Sequence, residues 1–159
     1  MIGWPKNPTE HEWCRDFLLA QHIHVAEDAH ILFWTADRKP VWVVAFDSWV
    51  GQTCQMHVAS DKTRWLPKAF INATYFYAFK VISRKTVFAT VNSRNAAIAR
   101  LIGWLGYKEV HRVHEVHEGG GDLVFMQMDR EECRWIKDIT WENHPHPLLI
   151  TKPLPNSRA

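Results

Sequence analysis

The chain has 159 residues, of which 47% are apolar, so it is long enough and apolar enough to form one domain with a hydrophobic core. Its 19 basic and 17 acidic side chains give a formal charge of only +2, and no basic run offers a surface for nucleic acid. No apolar stretch could span a bilayer, no charged leader precedes an apolar run, and the three cysteines show no CxxC spacing. We therefore expect a soluble, cytoplasmic protein without a nucleic-acid or membrane partner.

The first third of the sequence predicts one helix followed by three strands. Residues 1–8 contain two prolines and a glycine and are expected to form an extended lead-in. Thr9 can cap a helix over about residues 10–24, where apolar side chains recur at helical spacing. Runs rich in strand formers then predict strands at 30–35, 41–46 and 53–59, of which the first two form a hairpin.

The rest of the sequence alternates helices with strands. Gly106 ends the second of two predicted helices, and Asp129 is expected to cap a further short helix. A crossover helix joins two of the strands, which are therefore expected to be parallel neighbours in a mixed sheet with helices on its faces. The helices are predicted at 65–82 and 96–105, and the strands at 85–91, 107–117 and 123–128.

The segment from Asn95 to Tyr107 contains an asparagine, a helix and a Gly-Tyr pair that leads into a strand. With the hairpin that follows, this pattern resembles the GNAT acetyltransferase superfamily over about residues 10–136. The resemblance implies an α/β fold with a mixed, mostly antiparallel sheet, a β-α-β crossover and helices on both faces. The domain would occupy residues 9–136, between the lead-in and a proline-rich tail at 137–159.

The end of that pattern, from Met128 to Trp135, is similar to GNAT-type proteins carried by tailed bacteriophages. This similarity implies a phage-type member of the superfamily. For a phage-encoded protein, the expected location is the cytoplasm of the host.

The resemblance implies a site for acetyl-CoA between the strands at 53–59 and 85–91. In this fold two parallel strands separate, and their unpaired backbone groups bind the pantetheine arm. The pyrophosphate meets the N-terminus of the following helix, where free amides favour an anion, and Lys62 could add charge there. The cofactor-binding residues implied in this way are Met56, Val58, Ala59, Arg64, Leu66, Lys68, Ala69 and Asn95.

Three residues depart from the family pattern. Pro67 replaces a glycine of the phosphate-binding stretch and supplies no N–H donor. Gln55 stands where a glutamate base is common, and Ile102 stands where many members have a tyrosine that protonates the leaving thiolate.

His57 should face the same side as Gln55, and because imidazole titrates near neutrality it is the candidate catalytic base. The alternative is an inert, hydrogen-bonded histidine at a sheet surface.

Other chemistry-bearing residues of the sequence predict no further site. On a strand, His114 points away from His111 and His117, so these three side chains cannot easily hold one metal ion. His144 and His146 do not change this conclusion, and no metal site is predicted. The three consecutive glycines at 119–121 indicate a tight turn, because no helix follows them closely enough to make a phosphate loop.

The predicted function is acetyl-CoA-dependent N-acetyl transfer to an amine, which is either a small molecule or part of a protein. The amine attacks the thioester directly, a base accepts its proton, and a backbone amide near Val58 polarises the carbonyl. The alternative is a GNAT-shaped binding or virion-associated protein with lost or weak catalysis, which Pro67, Gln55 and Ile102 favour. The sequence leaves open whether the protein forms a homodimer.

Overall fold

The computed structural model of the chain describes residues 1–140, so most of the predicted tail, residues 141–159, lies outside the described part. Helices α1, α2 and α3 span Pro8–Leu19, Lys68–Phe76 and Ala96–Leu105. A π-helical turn, Tyr77–Val81, continues α2, and a 3₁₀ turn, Arg130–Glu132, follows the last strand. Strands β1 to β7 span Ile2–Gly3, His30–Ala36, Lys39–Val50, Thr53–Ser60, Thr86–Asn92, Lys108–Val113 and Leu123–Asp129.

Within the described residues the seven strands form one sheet in the order β1-β2-β3-β4-β5-β7-β6. Every neighbouring pair is antiparallel except β4 and β5, which are parallel because α2 crosses over the sheet between them. The predicted mixed, mostly antiparallel sheet with one parallel neighbour pair is therefore confirmed.

The two faces of the sheet are covered by different helices, because successive strand residues point to opposite faces. Cys14 and Leu18 of α1 pack on one face against Ala45 and Ala59. The other face packs on α2, its π-helical continuation and α3, and this larger core includes buried side chains such as Met56. None of the helices in the described residues is long and apolar enough to cross a membrane.

Helix α1 differs from its prediction at both ends. Its cap is Asn7 rather than Thr9, because the Asn7 side chain accepts the Glu10 N–H at 2.9 Å and Pro8 fits the first helical position. The helix ends at Leu19 instead of near residue 24, and the chain leaves through His22 in the left-handed region at φ 59°.

Helix α2 begins at Lys68, three residues after the predicted start at Trp65. The ring of Pro67 disfavours helical backbone at the residue before it, so the helix cannot extend upstream. Pro67 instead occupies the cap position, and its carbonyl accepts the N–H groups of Phe70 and Ile71 at 3.0 and 3.1 Å.

Helix α3 confirms its prediction, with Asn95 as cap and Gly106 in the left-handed region at φ 112°. Strand β6 is shorter than the predicted 107–117, because Glu115 turns the chain at φ 52° and donates its N–H to Asp122 at 3.1 Å. Asp129 makes no side-chain capping bond, so its predicted role as a cap is wrong, although a 3₁₀ turn does follow it.

Candidate active site

Strands β4 and β5 pair at their N-terminal ends and then separate. Their register comprises Thr53 with Thr86, Cys54 with Val87 and Gln55 with Phe88, and the described strands pair no further. Beyond this point β4 stays paired with β3 up to Ser60, and β5 stays paired with β7 up to residue 92. The prediction that these parallel strands separate toward their C-terminal ends is therefore confirmed. A gap with one unpaired backbone edge on each side divides the sheet.

The predicted pantetheine-binding residues Met56, Val58 and Ala59 all lie on the β4 edge of this gap. Their side chains are taken up by packing, since Met56 and Val58 join the core under α2 and α3 while Ala59 joins the core under α1. What these residues can offer a ligand is backbone. Ser60, at the end of the strand, already donates its N–H to the Gln21 side chain at 3.3 Å.

The Gln55 side chain spans the gap where it opens. Its amide nitrogen donates to the Thr90 hydroxyl at 3.1 Å, which ties β4 to β5 just beyond their last backbone pair. An amide is not a base, and this one is engaged in a cross-strand bond. Gln55 therefore links the two strands at the closed end of the gap.

The chain continues from the end of β4 to the N-terminus of α2, and the pyrophosphate site was predicted at this helix N-terminus. Lys68 and Ala69 are exposed and supply the first helical N–H groups, which have no acceptor earlier in an α-helix. Leu66 is half-buried and packs on the core, so it anchors the preceding loop. The predicted anion site thus moves from Trp65 to Lys68, and Pro67 at the cap contributes no donor.

Arg64 is directed toward the turn between β2 and β3. Its guanidinium donates to the Asp37 carboxylate at 3.1 Å, and its carbonyl accepts the Trp42 indole N–H at 3.1 Å. Both side chains of the Arg64–Asp37 pair are exposed. Such a pair contributes on the order of 0–1 kcal/mol, so the arginine can exchange Asp37 for another anion at little cost.

Asn95, the remaining predicted cofactor residue, caps α3. Its side-chain oxygen accepts the Ile98 N–H at 3.2 Å. Ile102 is buried in the core under the sheet and carries no proton to donate. Among the described residues there is no group of three or more side chains that could hold a metal ion.

His57 lies on β4 two residues beyond the last β4–β5 pair and faces the α1 side of the sheet, as Gln55 and Ala59 do. Its Nε2 atom is 2.8 Å from Oδ1 of Asp47, and 17% of its side chain is exposed. The nearly buried Asp47 was missed by the sequence analysis. In the sequence Asp47 stands out only as the acidic residue that ends an apolar run, and it is the β3–β4 register that brings it beside His57.

Solved structures of acetyltransferases share this architecture. The protein yncA from Salmonella typhimurium, solved with acetyl-CoA, aligns with 81% of this chain and 92% of its own at 15% identity and a TM-score of 0.61. A GNAT-family acetyltransferase from Streptococcus pneumoniae aligns with 81% of this chain and 98% of its own at 12% identity and a TM-score of 0.66. The chain has the GNAT fold.

A spermidine N-acetyltransferase chimera from Vibrio cholerae SpeG and hSSAT shares the GNAT fold with this chain as well. It aligns with 82% of this chain and 96% of its own at 12% identity and a TM-score of 0.63. No protein-family model matches the sequence, and no curated protein matches it. The relationship is therefore structural, and the activity has to be argued from the residues around the gap.

Proposed function

We propose that this protein transfers an acetyl group from acetyl-CoA to an amine. The observation that carries the proposal is the gap between β4 and β5, which opens after the Gln55–Phe88 pair and leaves the backbone of Met56 to Ala59 without a strand partner in β5. An extended, amide-containing arm of a ligand can satisfy such an edge as an added strand does. The similar structure of yncA is solved with acetyl-CoA.

The residues at the two ends of the gap match the chemistry of the two ends of acetyl-CoA, the proposed acetyl donor. At the open end, the free amides of Lys68 and Ala69 and the helix dipole of α2 favour the pyrophosphate. The side chains of Lys62 and Arg64 are exposed in the preceding loop and add positive charge. Near the closed end, His57 is the first titratable side chain on β4 beyond its last pair with β5.

His57 is proposed to accept the proton that the amine releases. A bond forms between the amine nitrogen and the acetyl carbon, and the bond from that carbon to sulfur breaks. A backbone N–H in the Val58 region polarises the carbonyl oxygen. Ile102 offers no acid for the thiolate, but holding two reactants together provides much of the rate enhancement, and a thiolate needs little help to leave.

A second candidate function is a GNAT-shaped binding or virion-associated protein without turnover. It is favoured by Pro67 at the cap of α2, where a backbone donor is missing, and by the pairing of Arg64 with Asp37. Both features weaken the phosphate end of the site and leave the gap itself unchanged. The two candidates therefore differ in donor affinity and in turnover.

Titration calorimetry with acetyl-CoA, followed by an assay of free CoA thiol over a panel of amines that includes spermidine, tests the proposal. The protein's own thiols do not disturb the assay, because burial raises the pKa of Cys14 and Cys54 to about 12 and that of Cys133 to about 11. Binding with turnover of at least one amine supports the transferase. Binding without turnover supports the second candidate, and no binding overturns the donor site.

A further inference from the structure

The carboxylate of Asp47 is held beneath His57 by three hydrogen bonds. Its Oδ1 atom is 2.8 Å from His57 Nε2 and accepts the Ser48 hydroxyl at 3.1 Å, and its Oδ2 atom accepts the Ala26 N–H at 3.0 Å. Only 4% of Asp47 is exposed. A buried carboxylate with donors on both oxygens is held in position, since losing the Ala26 N–H would leave the buried Oδ2 atom without its hydrogen bond.

We propose that Asp47 is a positioning residue that selects the tautomer of His57 and so makes its Nδ1 atom the proton acceptor. The inference rests on the proposed function. A carboxylate only accepts hydrogen bonds, so Nε2 has to carry the N–H that meets Asp47. In the neutral ring the lone pair is then on Nδ1. Without this bond either nitrogen could carry the proton.

The backbone of β3 places Asp47 where it can reach the ring. His57 is paired with Ala45, and Asp47 is the next residue on that face of β3, opposite Gln55. The register of β3 and β4 shifts immediately after Asp47, and Ser48 lies in the left-handed region at φ 54°. This irregularity turns the Ser48 hydroxyl back onto Asp47.

A second set of contacts fixes the loop that supplies the Ala26 amide. The Arg15 guanidinium of α1 donates to the carbonyls of Val25, Ala26 and Glu27 at 3.3, 2.8 and 2.8 Å. The loop between α1 and β2 is therefore held against β3 by Arg15 on one side and by Asp47 on the other. Ile23 and Val25 of this loop pack on the same core under α1 that covers this face of the sheet.

The proton balance of this arrangement is simple. The amine loses one proton as its bond to the acetyl carbon forms, and Nδ1 of His57 takes that proton. The ring becomes an imidazolium that keeps its Nε2–H on Asp47, whose negative charge stabilises it. Because part of the ring is exposed, the proton passes on to water and the ring returns to its starting tautomer.

Asp47→Asn tests the proposal, because asparagine keeps the shape but can donate to Nε2 and drive the proton to Nδ1. Nitrogen-15 NMR of the histidine ring should show the Nε2–H tautomer in the parent and an Nδ1–H or mixed form in the variant. Turnover should fall about 10²-fold or more with acetyl-CoA affinity and the KM for the amine nearly unchanged. An Nδ1–H tautomer in the parent would overturn the proposal without any variant.

Asp129→Asn is the matched control, since Asp129 also accepts side-chain bonds on this sheet, from Thr86 and Gln127, but lies away from His57. It should change neither the tautomer nor turnover. In a His57→Gln background, Asp47→Asn should cause no further loss of rate, whereas a merely structural carboxylate would still lower it. The NMR measurement needs no turnover, so it tests whether Asp47 sets the tautomer of His57 even if the protein proves not to be a transferase.

Discussion

At the scale of single residues, the imidazole of His57 is the group on which the proposed chemistry depends. His57→Gln should leave acetyl-CoA affinity unchanged, because the ring is not proposed to touch the phosphates. Turnover with a competent amine should fall by about 10²-fold or more, which is the usual contribution of a general base. Calorimetry and the thiol assay measure the two effects separately.

The control for this change is His24→Gln, which alters an exposed histidine of the α1–β2 loop and should leave both quantities as they are. A His57→Gln variant as fast as the parent would remove His57 from the mechanism. The proton would then have to pass to water along the gap.

The positive side chains before and in the first turn of α2 provide a second residue-scale prediction. Replacing Arg64 and Lys68 together with alanine should weaken acetyl-CoA binding about tenfold, because each exposed side chain is proposed to make one modest contact with the pyrophosphate. The loss should shrink as salt is raised, since salt screens the same contacts in the parent. Lys80→Ala, at the far end of the same helical segment, is the control. Equal affinity of the double variant and the parent would place the phosphates elsewhere.

At the scale of elements, the loop between β6 and β7 is locked onto the end of β5 through Gly121. This residue lies at φ 109°, and a Cβ atom there would be 2.4 Å from the Asn92 side-chain oxygen, which accepts the Arg94 N–H. Gly121→Ala should therefore lower the free energy of unfolding by about 1–3 kcal/mol, through backbone strain and the displaced bond.

Gly103→Ala is the matched control, because Gly103 is an exposed position inside α3 and a Cβ atom added there would have no neighbouring atom within 4 Å. It should raise the free energy of unfolding by ~0.5–1 kcal/mol, since alanine loses less backbone entropy in a helix. Urea denaturation of the two variants checks the opposite signs. Equal stability of Gly121→Ala and the parent would mean that the loop is not held on Asn92.

At the scale of the whole molecule, the sheet consists of two parts, β1–β4 and β5–β7, that share a short line of contact. The parts meet at three β4–β5 pairs, at the Gln55–Thr90 bond and through the core under α2. A ligand that fills the gap should therefore stabilise the fold as a unit. Hydrogen exchange with acetyl-CoA present should slow at residues 56–60 and at the start of α2.

The N-terminal groove gives this experiment its internal comparison. It has a volume of about 440 Å³, is lined by aromatic side chains that include Trp4, Trp13 and Phe33, and lies beside β1 at the far edge of the sheet. Exchange in β1 and α1 should be unchanged by acetyl-CoA. Slowed exchange there, with none in the gap, would move the donor site to the groove.

The sequence by itself was sufficient for the order of elements from α1 onward and for the pairing of β4 with β5, but β1 lies within residues 1–8, which were expected to be an extended lead-in. Strand formers and the helix-terminal residues Asn95 and Gly106 are local signals that act within a few residues of their positions. The helix between β4 and β5 in the sequence makes these two strands parallel neighbours. The start of α2 was misjudged by three residues because a proline is tolerated both at the cap and in the first turn, and only the extended backbone of Pro67 in the fold decides between them.

The candidate site needed the tertiary structure. His57 was found from its spacing to Gln55, but Asp47 is ten residues away in the sequence and meets the ring only through the β3–β4 register and its irregularity. Arg64 was assigned to the phosphates, and only the folded chain brings Asp37 to it from the preceding hairpin. The pattern along the sequence specifies which face of a strand or helix a side chain occupies. Its hydrogen-bond and ion-pair partners come from other elements, and the packing of those elements determines which side chains meet.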